Sequence, residues 1–136
     1  MINIYSRSVK NKILHILYKK SDFSNRQDLI VPDEFIQVAS LKLSKNQTFK
    51  AHKHLWKISN KNKIIAQESW VVIKGKIKVD YYDLDNQPLG SHILNEGDCT
   101  ITLYGGHNYK SLTEDTMVYE FKTGPYEGQI NDKELL

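Results

Sequence analysis

Short segments typical of β-strands recur at roughly ten-residue spacing over most of this chain, and this rhythm restricts the folds open to it. The segments are rich in Val, Ile, Thr, Tyr and Phe, and several alternate, as Ile77, Val79 and Tyr81 do with the polar residues between them. Turn-forming residues such as the pair Gly105-Gly106 separate the segments. The eight predicted strands are 35–43, 48–54, 64–73, 76–82, 91–94, 99–104, 107–112 and 117–122. Many short strands of this kind predict an all-β sandwich or barrel of the jelly-roll type.

The two ends of the chain are predicted to lie outside these strands. Residues 1–34 form an N-terminal extension, in which the apolar run 13–18 is either a strand or part of an amphipathic helix. We favour a strand that extends one sheet, and because pairing with a second copy would cover its free edge, we expect a homodimer. A helical turn is expected within 25–34. Residues 35–122 form the barrel, and the C-terminal tail 123–136 is expected to lie over it.

Composition excludes several classes of function. With 136 residues the chain is long enough for one domain with a substantial core. Its 19 basic and 16 acidic side chains give a net charge of +3, and the lysines are scattered, so we expect no nucleic-acid partner. Cys99 is the only cysteine, which rules out an internal disulfide. The start lacks the apolar core of a signal peptide, and the central apolar run 70–73 is too short to cross a bilayer. We therefore expect a cytoplasmic protein without a membrane partner.

Two histidines one residue apart, His52 and His54, are the clearest chemical signal in the sequence. On a strand, residues i and i+2 face the same side, so both imidazoles can bind one ion. Further along the chain, Glu68 lies seven residues before Gly75. A third histidine, His107, comes directly after the glycine pair Gly105-Gly106. On neighbouring strands these side chains would complete a site of three nitrogens and one oxygen for a divalent metal. The alternative is that each is an ordinary core or surface residue.

Strand parity gives further predictions about the surroundings of this site. Trp56 lies two residues after His54, and Trp70 lies two residues after Glu68, so each should face the same side of its strand as that neighbour. Each therefore either lines a pocket or belongs to the core. Cys99 is in phase with Ile101 and Leu103, and we expect it to be buried as a small apolar residue.

The histidines and glycines resemble the two sequence motifs of the cupin superfamily, whose members are small β-barrels. His52-Lys53-His54 matches the H-x-H of the first motif, and the segment from Glu68 to Gly75 matches its E-x6-G. Gly97, Gly105 and His107 match the glycines and the histidine of the second motif, G-x5-P-x-G-x2-H-x3-N. The resemblance covers roughly residues 35–122. It implies a cupin-type jelly-roll barrel of about eight or more antiparallel strands.

The sequence also departs from the family pattern. Thirteen residues separate His54 from Glu68 where the family has three or four, and we predict that this insert forms a longer hairpin between the same two strands. Leu103 stands in place of the proline, His107 comes one residue early, and Ser111 stands where asparagine is expected. The insert leaves two possibilities, because either Glu68 still reaches the metal or the site consists of three histidines and water.

The resemblance implies a cofactor, a ligand class and an activity. The implied cofactor is a divalent transition metal, namely Fe, Mn, Ni, Co or Zn. Its implied ligands are His52, His54, Glu68 and His107. Residues 70–120 are similar to small cupins found with surface-polysaccharide and nucleotide-sugar genes. The implied partner is therefore a small polar metabolite.

A sugar or nucleotide-sugar isomerase or epimerase is the activity this resemblance favours. Tyr109, which has the parity of His107, is the predicted proton donor. An Fe(II)-dependent dioxygenase, a metal-free epimerase of the same barrel type and a non-catalytic metal- or sugar-binding module are the alternatives. The residues leave open whether the protein is an enzyme.

Overall fold

Antiparallel β-strands make up nearly all of the regular structure in the computed structural model, which describes residues 1–6, 8–18, 20–59 and 62–136. The strands in these ranges are β1 (Ile2–Tyr5), β2 (Ile13–Leu17), β3 (Arg26–Asp28), β4 (Ile36–Leu43), β5 (His52–His54), β6 (Trp56–Ser59), β7 (Asn62–Ile65), β8 (Glu68–Lys74), β9 (Ile77–Tyr82), β10 (Pro88–Leu94), β11 (Cys99–Thr102), β12 (Gly106–Ser111), β13 (Thr116–Thr123) and β14 (Lys133–Leu135). A 3-10 turn at Lys20–Asp22 and the α-helical turn α1 (Gln129–Asp132) accompany them. No helix in the described ranges is long or apolar enough to span a bilayer.

Two five-stranded sheets form the body of the molecule. The first has the order β10-β9-β12-β5-β14 and the second has the order β11-β8-β13-β4-β3. Their strand pairs are antiparallel. Burial alternates along strands such as β8, where Glu68, Trp70 and Val72 face inward. The prediction of an all-β barrel of the jelly-roll type is confirmed.

The hydrophobic core lies between these two sheets. Its buried members are Ala39, Leu41, Leu43, Trp70, Val72, Ile77, Val79, Tyr109 and Val118. Trp70 on β8 stacks against Tyr109 on β12, with ring centroids 4.0 Å apart and an interplanar angle of 17°. Such a pair contributes about 0.5–1.5 kcal/mol beyond the burial of the two rings. It joins the two sheets directly beside the predicted metal ligands.

The insert between the two parts of the first motif forms a separate hairpin. The predicted strand 64–73 is interrupted, because β7 ends at Ile65 and β8 begins at Glu68. β6 and β7 pair with each other in a two-stranded sheet, as the predicted hairpin requires, although residues 60–61 lie outside the described residues. The additional residues therefore pair with one another and leave β5 and β8 in the two main sheets.

The N-terminal region differs from its prediction in two places. β2 is a strand, but it pairs with β1 in a two-stranded sheet of its own instead of extending a main sheet. Segment 25–34 contains β3, which pairs with β4, and a turn in which the Glu34 N–H donates to the Val31 carbonyl. The expected helical turn is replaced because the edge of β4 offers backbone hydrogen-bond partners to β3.

The C-terminal tail contributes a strand to the first sheet. β14 pairs antiparallel with β5, so that Lys133 lies opposite His54 and Leu135 lies opposite His52. The turn α1 directly precedes β14. The end of the chain therefore lies next to the strand that carries the H-x-H motif.

Candidate metal centre

Four side chains from three strands meet in the interior of the barrel. They are His52 and His54 on β5, His107 on β12 and Glu68 on β8. One donor atom from each lies within 4.8 Å of the other three. All four are buried, with at most 5% of each residue exposed. The structure thus brings together the four residues singled out in the sequence, and Glu68 reaches the cluster despite the long insert.

Strand register explains how His107 comes to lie beside the H-x-H motif. His107 is paired with His52 across β12 and β5, and Gly106 is paired with Lys53. Gly105 has φ +81°, a conformation that glycine adopts without strain. A Cβ on Gly106 would collide with the side chain of Leu136. The glycine pair therefore lets the turn form and lets β12 approach its neighbours closely.

Each of the three imidazoles is held through its Nδ1 atom. The hydrogen-bond partners are the Lys50 carbonyl O for His52 (2.9 Å), Asp132 Oδ2 for His54 (3.2 Å) and Thr102 Oγ1 for His107 (3.0 Å). A carbonyl or carboxylate oxygen only accepts, so Nδ1 carries a proton in His52 and His54, and the lone pair of the neutral ring is on Nε2. Metal-binding histidines typically donate their second ring N–H to such an oxygen, which fixes the tautomer and the ring orientation.

The Glu68 carboxylate lies between two of these Nε2 atoms. Its Oε2 is 3.3 Å from His54 Nε2 and its Oε1 is 3.3 Å from His107 Nε2. Trp70 Nε1 donates a hydrogen bond of 2.9 Å to Oε1 and so fixes the orientation of the carboxylate. Among the described residues, the buried Nε2 atoms of His54 and His107 have no well-formed hydrogen bond. Buried nitrogens normally have a partner, and a cation bound in the cluster would provide one.

Burial and the neighbouring charges set the protonation of the cluster. Burial lowers the pKa of His52 to about 4, so this imidazole stays neutral at pH 7. Burial also acts to lower the pKa of His54, but the Asp132 and Glu68 carboxylates outweigh it and raise that pKa. Burial acts to raise the pKa of Glu68, but His107 and His54 hold it well below its ordinary value. The cluster therefore offers an ionised carboxylate together with imidazole nitrogens.

This donor set fits a divalent transition metal. Imidazole suits Fe, Ni, Cu and Zn, and a carboxylate oxygen extends the range to Mn. Ligand atoms about 2.0–2.2 Å from one ion lie about 3 Å apart when they are adjacent, close to the 3.3 Å between Glu68 and each of two histidines. The four residues leave positions free for water or substrate, since these metals accept up to six ligands.

Asp132 is a part of the site that sequence reasoning missed. It is fully buried and, besides His54, accepts hydrogen bonds from Lys57 Nζ (2.9 Å) and Lys122 Nζ (2.8 Å). Burial acts to raise the pKa of Asp132, but His54 and the two lysines outweigh it and lower that pKa strongly. Asp132 lies in the turn before β14, where composition indicated only a surface tail. No local pattern marks it, because its partners come from three distant strands.

A cavity of about 390 Å³ lies beside the cluster. Its charged and titratable lining residues are Arg26, Asp28, His52, Glu68, Tyr109, Glu120, Lys122, Tyr126 and Lys133. Arg26 and Glu120 form a bidentate ion pair in this wall, with N–O distances of 2.9 and 3.3 Å. The volume lies within the range of small-molecule sites, which favours a ligand of metabolite size.

Tyr109, the predicted proton donor, lies in the wall of this cavity. Its ring centroid is 5.0 Å from that of His107. Burial, together with the nearby Glu68 carboxylate, raises the pKa of Tyr109 far above its ordinary value, so the hydroxyl stays protonated. The position and protonation suit a proton donor, and its role in catalysis stays a prediction.

The parity predictions have different outcomes for the tryptophans and for Cys99. Trp70 is buried and contacts the cluster, whereas Trp56 is 51% exposed and stacks with Tyr104 at a centroid distance of 6.2 Å. Cys99 is exposed, so the expectation of a buried residue was wrong. Thr100 and Thr102 face inward instead, because β11 pairs with β8 in a register that places Thr102 opposite Glu68.

Solved structures with cupin domains are similar to this chain over most of its length. The cupin domain of Cnp3 from Schizosaccharomyces pombe has a TM-score of 0.63 and 12% identity, and the match covers 90% of this chain and 84% of that one. Oxalate decarboxylase from Bacillus subtilis also has a TM-score of 0.63, with 18% identity over 88% of this chain. The chain has the cupin fold.

Two further findings define the extent of this likeness. KdgF from Halomonas sp. has a TM-score of 0.57 and 14% identity, and the match covers 75% of this chain and 79% of that one. The match to oxalate decarboxylase covers only 31% of that longer chain. No family model and no curated protein sequence matches this chain. The likeness is therefore one of fold, and function must be argued from the site.

Proposed function

We propose that this chain is a metal-dependent protein of the cupin fold that acts on a small polar metabolite, as a sugar or nucleotide-sugar isomerase or epimerase. One observation carries the metal centre. Each of the three clustered imidazoles is held through Nδ1, while the Nε2 atoms of His54 and His107 lie 3.3 Å from the ionised carboxylate of Glu68. A cation in this position would use the donor atoms that the protein itself leaves without good partners.

The proposed chemistry is a proton transfer next to a carbonyl group. A metal held by His52, His54, Glu68 and His107 would supply Lewis acidity toward a carbonyl or enediolate oxygen. Trp70 fixes the carboxylate, and the neutral hydroxyl of Tyr109 holds a proton at the cavity wall. The buried rings of Trp70 and Tyr109 form an aromatic part of the cavity wall.

Metal content is the first test of this proposal. Tag-free protein purified without chelators should contain near one equivalent of a transition metal by mass spectrometry, and the double variant His52→Ala/His54→Ala should contain none. His92→Ala is the matched control, because His92 is an exposed histidine on β10 outside the cluster, and this variant should keep the metal. Circular dichroism confirms that each variant is folded. Wild-type protein without metal, even after reconstitution, would overturn the metal centre.

The role of Tyr109 is tested by isotope exchange. In D2O the metal-loaded protein should incorporate deuterium from solvent into candidate sugars and nucleotide sugars, as followed by NMR. Tyr109→Phe should lower this exchange by at least a hundredfold with its metal content unchanged, since general acid catalysis contributes typically 10²–10⁴-fold. Undiminished exchange in Tyr109→Phe would remove Tyr109 from the mechanism.

An Fe(II)-dependent dioxygenase is the second candidate, because the same donor set binds Fe(II) and leaves positions free. Oxygen consumption that depends on added metabolite would support the dioxygenase, and turnover under strict anaerobiosis would exclude it. Saturable binding of a metabolite without turnover in either assay would instead support a non-catalytic binding module.

A further inference from the structure

We infer that Lys133 is an anion-binding residue of this centre, and that the natural ligand carries a carboxylate or phosphate group that Lys133 holds. The inference rests on the proposed metal centre and specifies the ligand class for it. Lys133 is the first residue of β14 and lies opposite His54 in the sheet. Its side chain lines the cavity, and its Nζ is 3.5 Å from His52 Nε2.

Lys133 differs from the other basic residues of the cavity in its pairing. Arg26 is paired with Glu120, and Lys122 is paired with Asp132. In the part of the chain that the structure describes, Lys133 forms no ion pair, and its polar contact is the long one to His52. Lys133 is partly buried, and the carboxylates of Glu68, Glu120 and Asp132 act on it without forming an ion pair. A negative group bound in the cavity would provide the direct partner that Lys133 lacks.

A bound metal would increase the preference of the pocket for a negatively charged group. The Nε2 lone pair of His52 belongs to the metal donor set, so Lys133 would lose the acceptor it now contacts. The cavity lining has three basic and three acidic side chains, namely Arg26, Lys122, Lys133, Asp28, Glu68 and Glu120. These charges balance, and a divalent ion makes the pocket positive. A positive pocket favours an anionic ligand, whose oxygen would accept the hydrogen bonds of Lys133.

Anion binding to the metal-loaded protein tests this role. Malonate and inorganic phosphate serve as probes in isothermal titration calorimetry, and malonamide, the uncharged analogue of malonate, serves as the negative probe. We expect one site for at least one of the two anions and no binding of malonamide. The better anion identifies the group, carboxylate or phosphate, that the pocket accepts.

Substitution of Lys133 then separates this residue from the rest of the centre. Lys133→Met should weaken the binding of the preferred anion at least tenfold, the scale of one charge-assisted hydrogen bond, with its metal content unchanged. Lys133→Arg should restore most of the affinity. Lys53→Met is the matched control, because Lys53 lies on β5 next to Lys133 but is already paired with Glu134 (2.8 Å) and should keep full anion affinity.

The outcomes distinguish this inference from the proposal on which it rests. Normal metal content with equal anion affinity in wild type and Lys133→Met would overturn the role of Lys133 and leave the metal centre standing. Metal-loaded wild type that binds neither anion would overturn the ligand class. Wild-type protein that takes up no metal would overturn the proposed function and this inference with it.

Discussion

Asp132 is a buried carboxylate that contacts one imidazole and two ammonium groups at once. Its Oδ2 accepts from His54 and from Lys122, and its Oδ1 accepts from Lys57. The first contact fixes the ring of a predicted metal ligand, and the other two balance the charge of lysines on β6 and β13. A residue that is not itself a ligand therefore controls both the geometry and the electrostatics of the centre.

We expect Asp132→Asn to weaken metal binding by about 10–100-fold, the effect typical of removing such an outer partner. The amide also leaves the buried Lys57 and the half-buried Lys122 without their counter-charge, so the free energy of unfolding should fall by roughly 3–5 kcal/mol. Chelator competition measures the first effect and urea unfolding measures the second. Asp115→Asn is the control, because Asp115 is an exposed partner of Lys42 and its loss should change neither quantity appreciably. Unaltered metal affinity in Asp132→Asn would contradict the role assigned here.

His52 predicts a pH dependence of the metal-free protein. Burial lowers its pKa from 6.5 to about 4 in the folded state, so between these values the unfolded chain binds a proton that the native state does not. This contribution to stability is complete above about pH 6.5 and is lost as the pH falls toward 4, with an upper size of roughly 3 kcal/mol. Urea unfolding at pH 7 and pH 4.5 should show a smaller loss of stability in His52→Gln than in wild type. Equal losses in the two proteins would show that the pKa of His52 is not lowered.

β14 is the element that joins the C-terminus to the metal centre. It covers the edge of β5, which would otherwise end the first sheet, and it places Lys133 next to the cavity. A strand with an unpaired edge is less well fixed, and here that strand carries two of the four clustered residues.

Removal of residues 133–136 should therefore lower metal affinity and thermal stability together. The truncated protein keeps all four clustered residues, so loss of affinity would come from loosening of β5 and of the adjoining turn that holds Asp132. Metal titration and thermal unfolding provide the measurement. Glu134→Ala keeps the strand and removes only an exposed ion pair with Lys53, so it should behave as wild type. A truncated protein with wild-type metal affinity would show that neither β5 nor Asp132 needs β14 to hold its position.

The strands show where local sequence is sufficient to predict the bounds of an element. Residues 36–43, 77–82 and 116–123 were predicted within two residues of their ends, because alternation and flanking turn residues are local properties. The inward face of β11 was predicted wrongly, since Ile101 is 63% exposed and Thr102 is buried. One face of that strand carries Cys99 and Ile101, and the other carries Thr100 and Thr102. The register with β8 turns the threonine face inward, with Thr102 opposite Glu68.

For the molecule as a whole, a bound metal should act as a stabilising ligand. An ion that binds only the native state at about 100 times its dissociation constant adds roughly 2.7 kcal/mol. For a domain of this size that corresponds to a rise in Tm of roughly 5–10 °C. Scanning calorimetry with and without chelator should show this difference in wild type and should show none in His52→Ala/His54→Ala. An equal response of both proteins to the chelator would mean that the stabilising ion binds elsewhere.

The sequence by itself determined the candidate ligands, because each belongs to a local motif. Three patterns marked them: the alternation of His52 and His54, the spacing from Glu68 to Gly75, and the glycines before His107. Each pattern spans only a few residues. Whether Glu68 would reach the others was decided by the tertiary structure, in which the insert folds into its own hairpin.

Only the tertiary structure revealed the residues that support and extend the site. Thr102, Asp132 and Lys133 reach the cluster from strands or turns with no recognisable motif. Their contribution comes from hydrogen bonds and charge compensation between residues distant in sequence, and these interactions exist only once the sheets have paired. The spacing of residues along the chain indicates which side chains lie on the same face of a strand. The pairing of strands in the sheets decides which of these faces come into contact.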